Sequence, residues 1–215
     1  MNLASSISAY NRARKYGCFF KELNPRWDAK ILDVGFTNRE YREADNFLEK
    51  NYYSQSYITA LGLSAHGSDL FAKRYPGVRV KLYDGKIFPF ADKEFDIGWS
   101  NAVIEHVGDE ERQLLFLREL NRTCKSVYMT TSNRCFPVEL HTWLPLLHYL
   151  PKKTFDAIIS RTPLRWAAGD YMHLLTRRKI KKLMRLAGIS NYRIISNHMF
   201  GFTMDFSIII SNAYK

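Results

Sequence analysis

The stretch Lys30-Ile-Leu-Asp-Val-Gly35 decides the fold of this chain. Its aliphatic residues form one apolar run that closes with Asp33 and Gly35, a pattern typical of a buried central strand in a parallel sheet. Ligands of open α/β sheets bind outside the carboxyl ends of such strands. Because Gly35 has no Cβ, the backbone there can approach a ligand closely. We therefore expect a ligand site at this turn.

Around this strand, short apolar runs alternate with helical segments. Such alternation predicts a mostly parallel sheet with right-handed crossovers. Further strands are predicted at 57–63, 78–83, 95–100 and 127–131, and helices at 47–50, 66–74 and 109–124. The alternation stops at 136–155, which is rich in proline, aromatic residues and leucine and is interpreted as an insertion. A basic helix at 176–187 and an antiparallel hairpin of strands at 192–196 and 203–211, at the sheet edge, are expected to close the fold.

The length of 215 residues fits a single domain with a full core. Its expected divisions are an N-terminal helical segment (1–29), a ligand-binding core (30–132), an apolar and basic cap insertion (133–175), and a closing helix with strands (176–215). Tyr16, Phe19, Phe20 and Leu23 recur at helical spacing, which predicts one or two short helices before Asn24-Pro25. These helices either pack on the domain or form a lid over the ligand.

Composition excludes several classes of protein. Hydrophobic residues make up 46% of the chain and aromatic residues 14%, which is too apolar for wholesale disorder. No apolar run approaches the length of a membrane span, and Met1–Tyr10 lacks the apolar core of a signal peptide. Three cysteines without a Cys-x-x-Cys pair argue against a disulfide scaffold or a zinc site. We therefore expect a cytoplasmic protein.

The formal net charge of +11 is concentrated in one region. Residues 151–193 contain eleven lysines and arginines against two acids, whereas residues 31–150 contain fourteen against sixteen. A basic segment of this kind either faces nucleic acid, an anionic membrane surface or a phosphorylated substrate, or is a solvated helix. The expected ligand-binding core itself is not basic.

Three predicted strand ends carry polar residues, namely Asp33-Val-Gly35, Tyr83-Asp84-Gly85 and the run Trp99–Val107. The segment ILDVG…VKLYDGKIFPFADKEFDIGWSNAVIEHV resembles the class I S-adenosylmethionine-dependent methyltransferases, over about residues 30 to 132. The resemblance implies a Rossmann-like three-layer α/β sandwich, with S-adenosylmethionine as cofactor and S-adenosylhomocysteine as product. It also implies methyl transfer by direct in-line displacement.

The resemblance carries over to particular residues of this sequence. The turn after the first strand would lie against the methionine part of the cofactor, and the acid after the third strand would accept a hydrogen bond from the adenine amino group. Residues after the fourth strand would lie beside the sulfonium and its methyl group. The positions implied to bind the cofactor are Asp33, Gly35, Phe36, Asp84, Gly85, Ser100, Asn101 and Ala102.

Two departures from the family pattern affect the cofactor site. The usual Gly-x-Gly-x-Gly loop reads Gly35-Phe-Thr-Asn-Arg39 here, and Gly62 replaces the acid that usually ends the second strand and holds the ribose hydroxyls. Another side chain must then hold the ribose. Asp45, Asn46 and Glu49 are the candidates, and we select Asn46.

The pair Glu105-His106 follows the fourth strand. In ubiquinone-type O-methyltransferases a similar pair joins an earlier glutamate to bind a divalent metal, but Ala102 takes the earlier position here, so we expect no metal. A hydroxyl acceptor benefits from a base whose pKa is near neutrality. Glu105, His106 and His141 are the candidate catalytic residues, with Glu139 next. The alternative for each is a local structural hydrogen bond.

The later run TTSNRCFPVELHTWLPLLHYLP resembles a bacterial subgroup of these proteins that we associate with surface-polysaccharide loci. Its apolar residues either pack in the core, cap the acceptor, or dip into a membrane interface next to the basic region. We expect the acceptor to be a hydroxyl on a sugar or a lipid-linked saccharide, with peripheral contact to the inner face of the membrane through 136–193. The alternatives are an RNA methyltransferase, favoured only by charge, and a binding or scaffold protein that has lost catalysis.

Overall fold

A computed structural model describes residues 3–211, with side chains from residue 7 onward. Residues 1–2 and 212–215, the outer ends of the first and last expected segments, lie outside the described part. The strands are β1 (Ile31–Val34), β2 (Ile58–Leu63), β3 (Arg79–Tyr83), β4 (Phe95–Asn101), β5 (Cys124–Ser132), β6 (Tyr192–Met199) and β7 (Phe202–Ser211). The α-helices are α1 (Leu3–Leu23), α2 (Phe47–Asn51), α3 (Asp69–Arg74), α4 (Glu110–Thr123), α5 (Lys152–Ile159) and α6 (Arg177–Leu186).

The strands form one seven-stranded sheet in the order β3-β2-β1-β4-β5-β7-β6. β1 pairs in parallel with β2 and with β4, so that Asp33 lies opposite Ala60 on one side and Trp99 on the other. The chain order reverses between β1 and β4, which is the switch point where ligands of such sheets bind. Helices flank the sheet, and the C-terminal strands add antiparallel pairing at its edge. The predicted Rossmann-like fold with a C-terminal hairpin is confirmed.

Of the described residues, 3–100, 119–128 and 209–211 form the first of two compact units. Its α1 is one continuous helix, whereas the sequence predicts one or two short ones. Phe19 on α1 is fully buried, and its ring centroid lies 5.0 Å from that of Trp99 and 5.7 Å from that of Tyr128. The Tyr128 hydroxyl donates a hydrogen bond to the Lys15 carbonyl at 2.9 Å. These contacts fit the interpretation of Tyr16, Phe19, Phe20 and Leu23 as part of a helix that packs on the domain.

Residues 101–118 and 129–208 form the second compact unit. It contains an apolar cluster of the buried residues Phe155, Ile159, Ala167 and Met172. Within the described chain, segment 136–155 carries no strand and only one isolated bridge, from Val138 to Pro145, as expected for an insertion. The helix α5 was not predicted, because eight residues directly after a proline give too few turns for a helical period to stand out.

Two predicted boundaries shift for local reasons. The helix predicted at 66–74 begins at Asp69, because Gly67 has a φ of +68° and closes a separate 3-10 turn over Ser64–His66. β5 begins at Cys124, directly after α4, so it is longer than the predicted strand. Among the described helices, none is both long and apolar enough to cross a bilayer. The single domain and its four divisions stay a prediction.

Candidate cofactor site and histidine cluster

Two neighbouring carboxyl groups are buried at the end of β1 in the first unit. Asp33 is 6% exposed, and Glu49 on α2 is 1% exposed. Burial raises the pKa of Asp33 well above its usual range, the charge of Glu49 raises it further, and Arg12 opposes both without cancelling them. Burial also raises the pKa of Glu49, and neither of its carboxylate oxygens accepts a hydrogen bond of ordinary geometry. Such a pair is suited to a ligand that brings an ammonium group.

Hydrogen bonds of Gly35 and Asn46 stabilise the turn after β1. Gly35 has a φ of +104°, and its N–H donates to the Leu61 carbonyl at 3.0 Å. The Asn46 side-chain oxygen accepts from the Thr37 N–H at 2.8 Å, and its amide nitrogen donates to the Thr37 carbonyl at 2.9 Å and to Glu40 at 3.0 Å. The Asn46 amide therefore holds the loop closed. Its predicted contact with the ribose stays a prediction, and it would require these bonds to rearrange.

Phe36, Asp84 and Gly85 also lie in the first unit. Phe36 packs on Phe71 with ring centroids 4.3 Å apart, and it covers Gly62. Asp84 is exposed just after β3, where one carboxylate oxygen accepts from the Lys86 N–H at 3.0 Å. Gly85 has a φ of +86°, a conformation that favours glycine. An exposed carboxylate at this strand end can accept a hydrogen bond from an exocyclic amine.

Ser100 and Asn101 are the last two residues of β4, which ends one residue later than predicted, and Ala102 follows it. In the first unit, the Ser100 hydroxyl is buried and has no hydrogen-bond partner among the described residues. In the second unit, Asn101 accepts a hydrogen bond from the Thr130 hydroxyl at 2.6 Å, and the Ala102 N–H donates to the Thr130 carbonyl at 3.1 Å. Ala102 has a φ of +57°, a left-handed conformation that is costly for alanine and that recurs at functional sites.

These observations test the fit of S-adenosylmethionine to the chain. The cofactor carries an ammonium, a carboxylate, a sulfonium and an adenosine, so it needs acceptors for the ammonium and for the adenine amine. Glu49 and Ser100 supply buried polar atoms without partners, and Gly35 supplies close backbone access. Asp84 supplies the exposed acceptor. The residues present fit the cofactor.

His106 and His141 form the centre of a cluster in the second unit. Their Nε2 atoms are 3.1 Å apart and their rings are nearly perpendicular, at 89°. His106 Nδ1 lies 2.8 Å from the Tyr171 carbonyl oxygen, and His141 Nδ1 lies 2.7 Å from a Glu139 carboxylate oxygen. Both oxygens can only accept, so each Nδ1 carries a hydrogen. In the neutral pair the two Nε2 atoms then face each other with their lone pairs, and one added proton would lie between them.

The charges around this pair control its protonation. Burial lowers the pKa of His106, Glu105 raises it, and His141 lowers it. Burial works to raise the pKa of Glu139, but hydrogen bonds from His141 and Thr142 outweigh burial and lower that pKa to about 2. Glu139 is therefore a carboxylate that orients His141. Sequence reasoning ranked Glu139 behind the histidines, although the Glu-x-His spacing in PVELHTW was the signal for this partnership.

Glu105 has a structural position at the edge of the cluster. It is fully buried, and its carboxylate accepts from the Thr131 hydroxyl at 2.8 Å and from the Ser132 N–H at 3.2 Å. Its backbone carbonyl accepts from the His173 N–H at 2.7 Å. The predicted catalytic contact of Glu105 with a substrate stays a prediction. Sequence reasoning gave no indication of the partners Thr131 and His173, because both are distant in the chain.

The cluster also contains a set of possible metal ligands. One ligand atom from each of Glu105, His106 and His141 lies within 4.8 Å of the other two. His141 thus adds a third donor to the Glu105-His106 pair, although Ala102 takes the position of the family's earlier glutamate. The Glu105 oxygens already accept hydrogen bonds and the imidazole Nε2 atoms face each other. The expectation that no metal binds stays a prediction.

Comparisons with known proteins agree with this fold and these strand ends. Residues 32–127, somewhat under half of the chain, match the family model described as "Methyltransferase domain". The matched range contains the Asp33 turn, Asp84, the end of β4 and Glu105-His106. A comparison with the curated proteins found no significant match.

Solved structures of methyltransferases share the fold at low sequence identity. An S-adenosylmethionine-dependent methyltransferase from Methanosarcina mazei has a TM-score of 0.58 at 18% identity, over 86% of this chain and 93% of that one. A protein described as a putative methyltransferase of this kind from Methanococcus maripaludis has a TM-score of 0.57 at 18% identity, over 98% and 91%. Geranyl diphosphate C-methyltransferase from Streptomyces coelicolor A3(2), solved with Mg²⁺, geranyl diphosphate and S-adenosyl-L-homocysteine, has a TM-score of 0.56 at 13% identity, over 92% and 77%.

The domain match and the chemistry of the strand ends both indicate a site for S-adenosylmethionine. Residues 32–127 resemble the methyltransferase domain, and the buried carboxyl pair and the Ser100 hydroxyl are polar groups of the kind that the cofactor needs. The solved structures supply the fold. The domain match and the strand-end chemistry together indicate an S-adenosylmethionine-dependent methyltransferase, and the match to the methyltransferase domain covers residues 32–127.

Proposed function

We propose that this methyltransferase methylates a hydroxyl group of a sugar or a lipid-linked saccharide. The observation that carries the proposal is the pairing of His106 and His141, whose Nδ1 atoms are both fixed by acceptors and whose Nε2 atoms face each other. Such a pair can receive one proton between its two Nε2 atoms. A hydroxyl loses a proton when its oxygen is methylated, and a saccharide is an acceptor that offers hydroxyls.

We assign the cofactor contacts to the chain's own strand ends. Asp33 and Glu49 would hold the ammonium of the methionine part, with Gly35 and Phe36 lining the turn. Asp84 and Gly85 would hold the adenine, and Asn46 would shape the loop beside the ribose. Ser100, Asn101 and Ala102 would border the reacting methyl group.

When bound, the cofactor supplies an electrophilic methyl group on a positively charged sulfur. The chain's residues would position the acceptor oxygen toward that methyl group, and such positioning supplies much of the rate of a displacement. The acceptor hydroxyl would give up its proton to the neutral histidine pair. Glu139 then balances the positive charge of the pair. Burial lowers the pKa of His106 and so keeps the neutral pair available at neutral pH.

A location at the cytoplasmic face of a membrane is part of this proposal. The second unit exposes large apolar side chains beside the basic residues of 151–193, with Leu146 at 56% and Trp166 at 46% exposure. Such a surface suits an anionic bilayer interface. Sedimentation with vesicles containing an anionic lipid tests it. The Leu146→Ser/Trp166→Ser variant is expected to bind less, whereas Trp27→Ala, which removes an exposed tryptophan of the first unit, is not.

Methyl transfer itself is tested with radiolabelled cofactor and a panel of sugar, lipid-linked sugar and RNA acceptors. Label in a saccharide, lost in the His106→Gln variant that still binds S-adenosylhomocysteine, is the expected result. Label on RNA, with binding that weakens steeply as salt rises, would replace the saccharide proposal. Cofactor binding without transfer to any acceptor would favour the scaffold alternative. Label on carbon would replace O-methylation with C-methylation, the reaction named for the Streptomyces enzyme.

A further inference from the structure

A small cavity in the second unit carries three cationic side chains. It has a volume of about 160 Å³, and Arg134, Lys152 and Lys179 line it together with the apolar Phe155, Met172 and Leu174. None of these residues belongs to the histidine cluster or to the predicted cofactor site. The cavity is therefore a separate candidate binding site.

The charges of this cavity are only partly neutralised within the protein. Lys152 pairs with Asp156 at 2.6 Å. Arg134 donates to the Leu150 carbonyl at 3.4 Å, which is a long contact. Among the described residues, no carboxylate lies within ion-pair distance of the half-buried Lys179 ammonium. Burial lowers the pKa of Lys179, Glu110 raises it, and Lys182 and Arg134 lower it further, so that it lies below its usual range. A half-buried cation without a direct ion pair is incompletely compensated, and a bound anion would supply that pair.

The size of the cavity limits what it can hold. The cavity volume is about 160 Å³. Pockets that enclose a whole small-molecule ligand measure about 300–1,000 Å³. The cavity thus fits one anionic group of a larger molecule. Phosphate suits the mixture of a guanidinium fork and two ammonium groups, and the apolar wall suits the rest of an ester.

The cavity lies beside the histidine cluster within the same unit. The Tyr171 carbonyl oxygen fixes His106 Nδ1, and Met172 to Leu174, the next three residues, line the cavity. The backbone of His173 is held on both sides, because its N–H donates to the Glu105 carbonyl at 2.7 Å and its carbonyl accepts from Gln113 at 2.9 Å. The short segment Tyr171–Leu174 therefore borders both the histidine cluster and the cavity.

We propose that this cavity binds the phosphate or pyrophosphate group of the methyl acceptor, so that the acceptor is a phosphate ester. That the bound molecule is the methyl acceptor rests on the proposed function, whereas the anion site itself is inferred from the cavity alone. The same phosphate chemistry occurs in a soluble sugar phosphate and in a lipid-linked sugar phosphate. The test therefore includes both sources.

The experiment is calorimetric titration of the full chain with inorganic pyrophosphate, without cofactor. Lys179→Gln and Arg134→Gln each remove one cation from the cavity and keep most of the side chain. Lys181→Gln is the matched control, because Lys181 is exposed on the same helix and does not line the cavity. We expect each cavity variant to bind at least 10-fold more weakly, the loss of one charge-assisted contact, and the control to bind like the wild type.

Three results would overturn the proposal. These are no pyrophosphate binding by the folded wild type, equal weakening in the Lys181→Gln control, and unchanged affinity in both folded cavity variants. Circular dichroism confirms folding, and Lys179→Arg, which keeps the charge, is expected to retain binding. A hexose 1-phosphate and a short prenyl phosphate are then titrated, and the tighter binder identifies the source of the phosphate. Failure of methyl transfer alone would leave these titrations unaffected and would count against the proposed function only.

Discussion

The ring of Phe36 occupies the space into which a side chain at position 62 would point. A Cβ placed on Gly62 would lie 2.5 Å from Phe36 Cε1 and 2.9 Å from Cζ. Such distances are far inside van der Waals contact, so any side chain there must push the ring aside. The acid that the family resemblance expects at the end of β2 is therefore sterically excluded while Phe36 keeps this position.

This contact predicts a destabilised Gly62→Ala variant. Overpacking of this kind costs about 1–3 kcal/mol of the free energy of unfolding, which urea denaturation measures. Gly17→Ala is the control, because a Cβ on Gly17 meets no atom within 4 Å and alanine favours a helix. In a Phe36→Ala background the Gly62→Ala cost is expected to disappear. Additive effects of the two substitutions would refute the steric explanation.

The buried pair of Asp33 and Glu49 predicts an unusual pH dependence of stability. Because both pKa values are raised in the folded protein, the cofactor-free protein binds more protons folded than unfolded. The stability present below the ordinary carboxyl pKa of about 4 is then lost as pH rises toward the raised values. Glu49→Gln is expected to flatten this decline, and Glu43→Gln, an exposed change on the same segment, is not. Equal slopes for wild type and Glu49→Gln would contradict the prediction.

The same pair predicts how cofactor binding depends on Glu49. If the two carboxylates hold the ammonium, binding forces the pair to release a proton. Titrations in buffers with different ionisation enthalpies would measure this release. Glu49→Gln is expected to weaken S-adenosylhomocysteine binding and to abolish the proton release, whereas release that persists in the variant would assign the proton to another group.

The histidine pair predicts the pH profile of methyl transfer. Because burial and His141 lower the pKa of His106, the activity is expected to fall on the acid side below the ordinary histidine pKa of about 6.5. Loss of a general base typically costs about 10²–10⁴-fold in rate. His106→Gln is expected to lose this much with unchanged cofactor affinity, and the exposed control His66→Gln to lose nothing. A profile flat from pH 5 to 8 would exclude the pair as the base.

Glu139 predicts a separate effect on stability. Its pKa is lowered to about 2 in the folded protein, so its contribution is present above the ordinary carboxyl pKa and is lost as pH falls toward 2. Glu139→Gln is expected to reduce the free energy of unfolding at pH 7 by up to about 3 kcal/mol. The difference from wild type should shrink in acid. A difference that does not change with pH would show that the loss comes from packing.

The sequence predicted the features that depend on neighbouring residues. The β1 turn at Asp33 and Gly35, the strand alternation and the C-terminal hairpin all follow from local patterns, and the structure has them. Contacts between residues that are distant in the chain could not be predicted from the sequence. The pairing of His106 with His141 and the covering of Gly62 by Phe36 join residues that only the fold brings together. The role of Asn46 was hidden for the same reason, because its partners are backbone atoms of a loop.

The segment Tyr171–Leu174 has a consequence for where an acceptor is methylated. Its first residue fixes the proposed base, its next three line the proposed phosphate cavity, and hydrogen bonds on both sides of His173 keep its length constant. Three steps of a peptide chain span at most about 11 Å. If both proposals hold, this segment would limit how far the methylated oxygen can lie from the phosphorus. A long saccharide would then be methylated on the unit next to its phosphate, and its far end would extend into solvent unmodified.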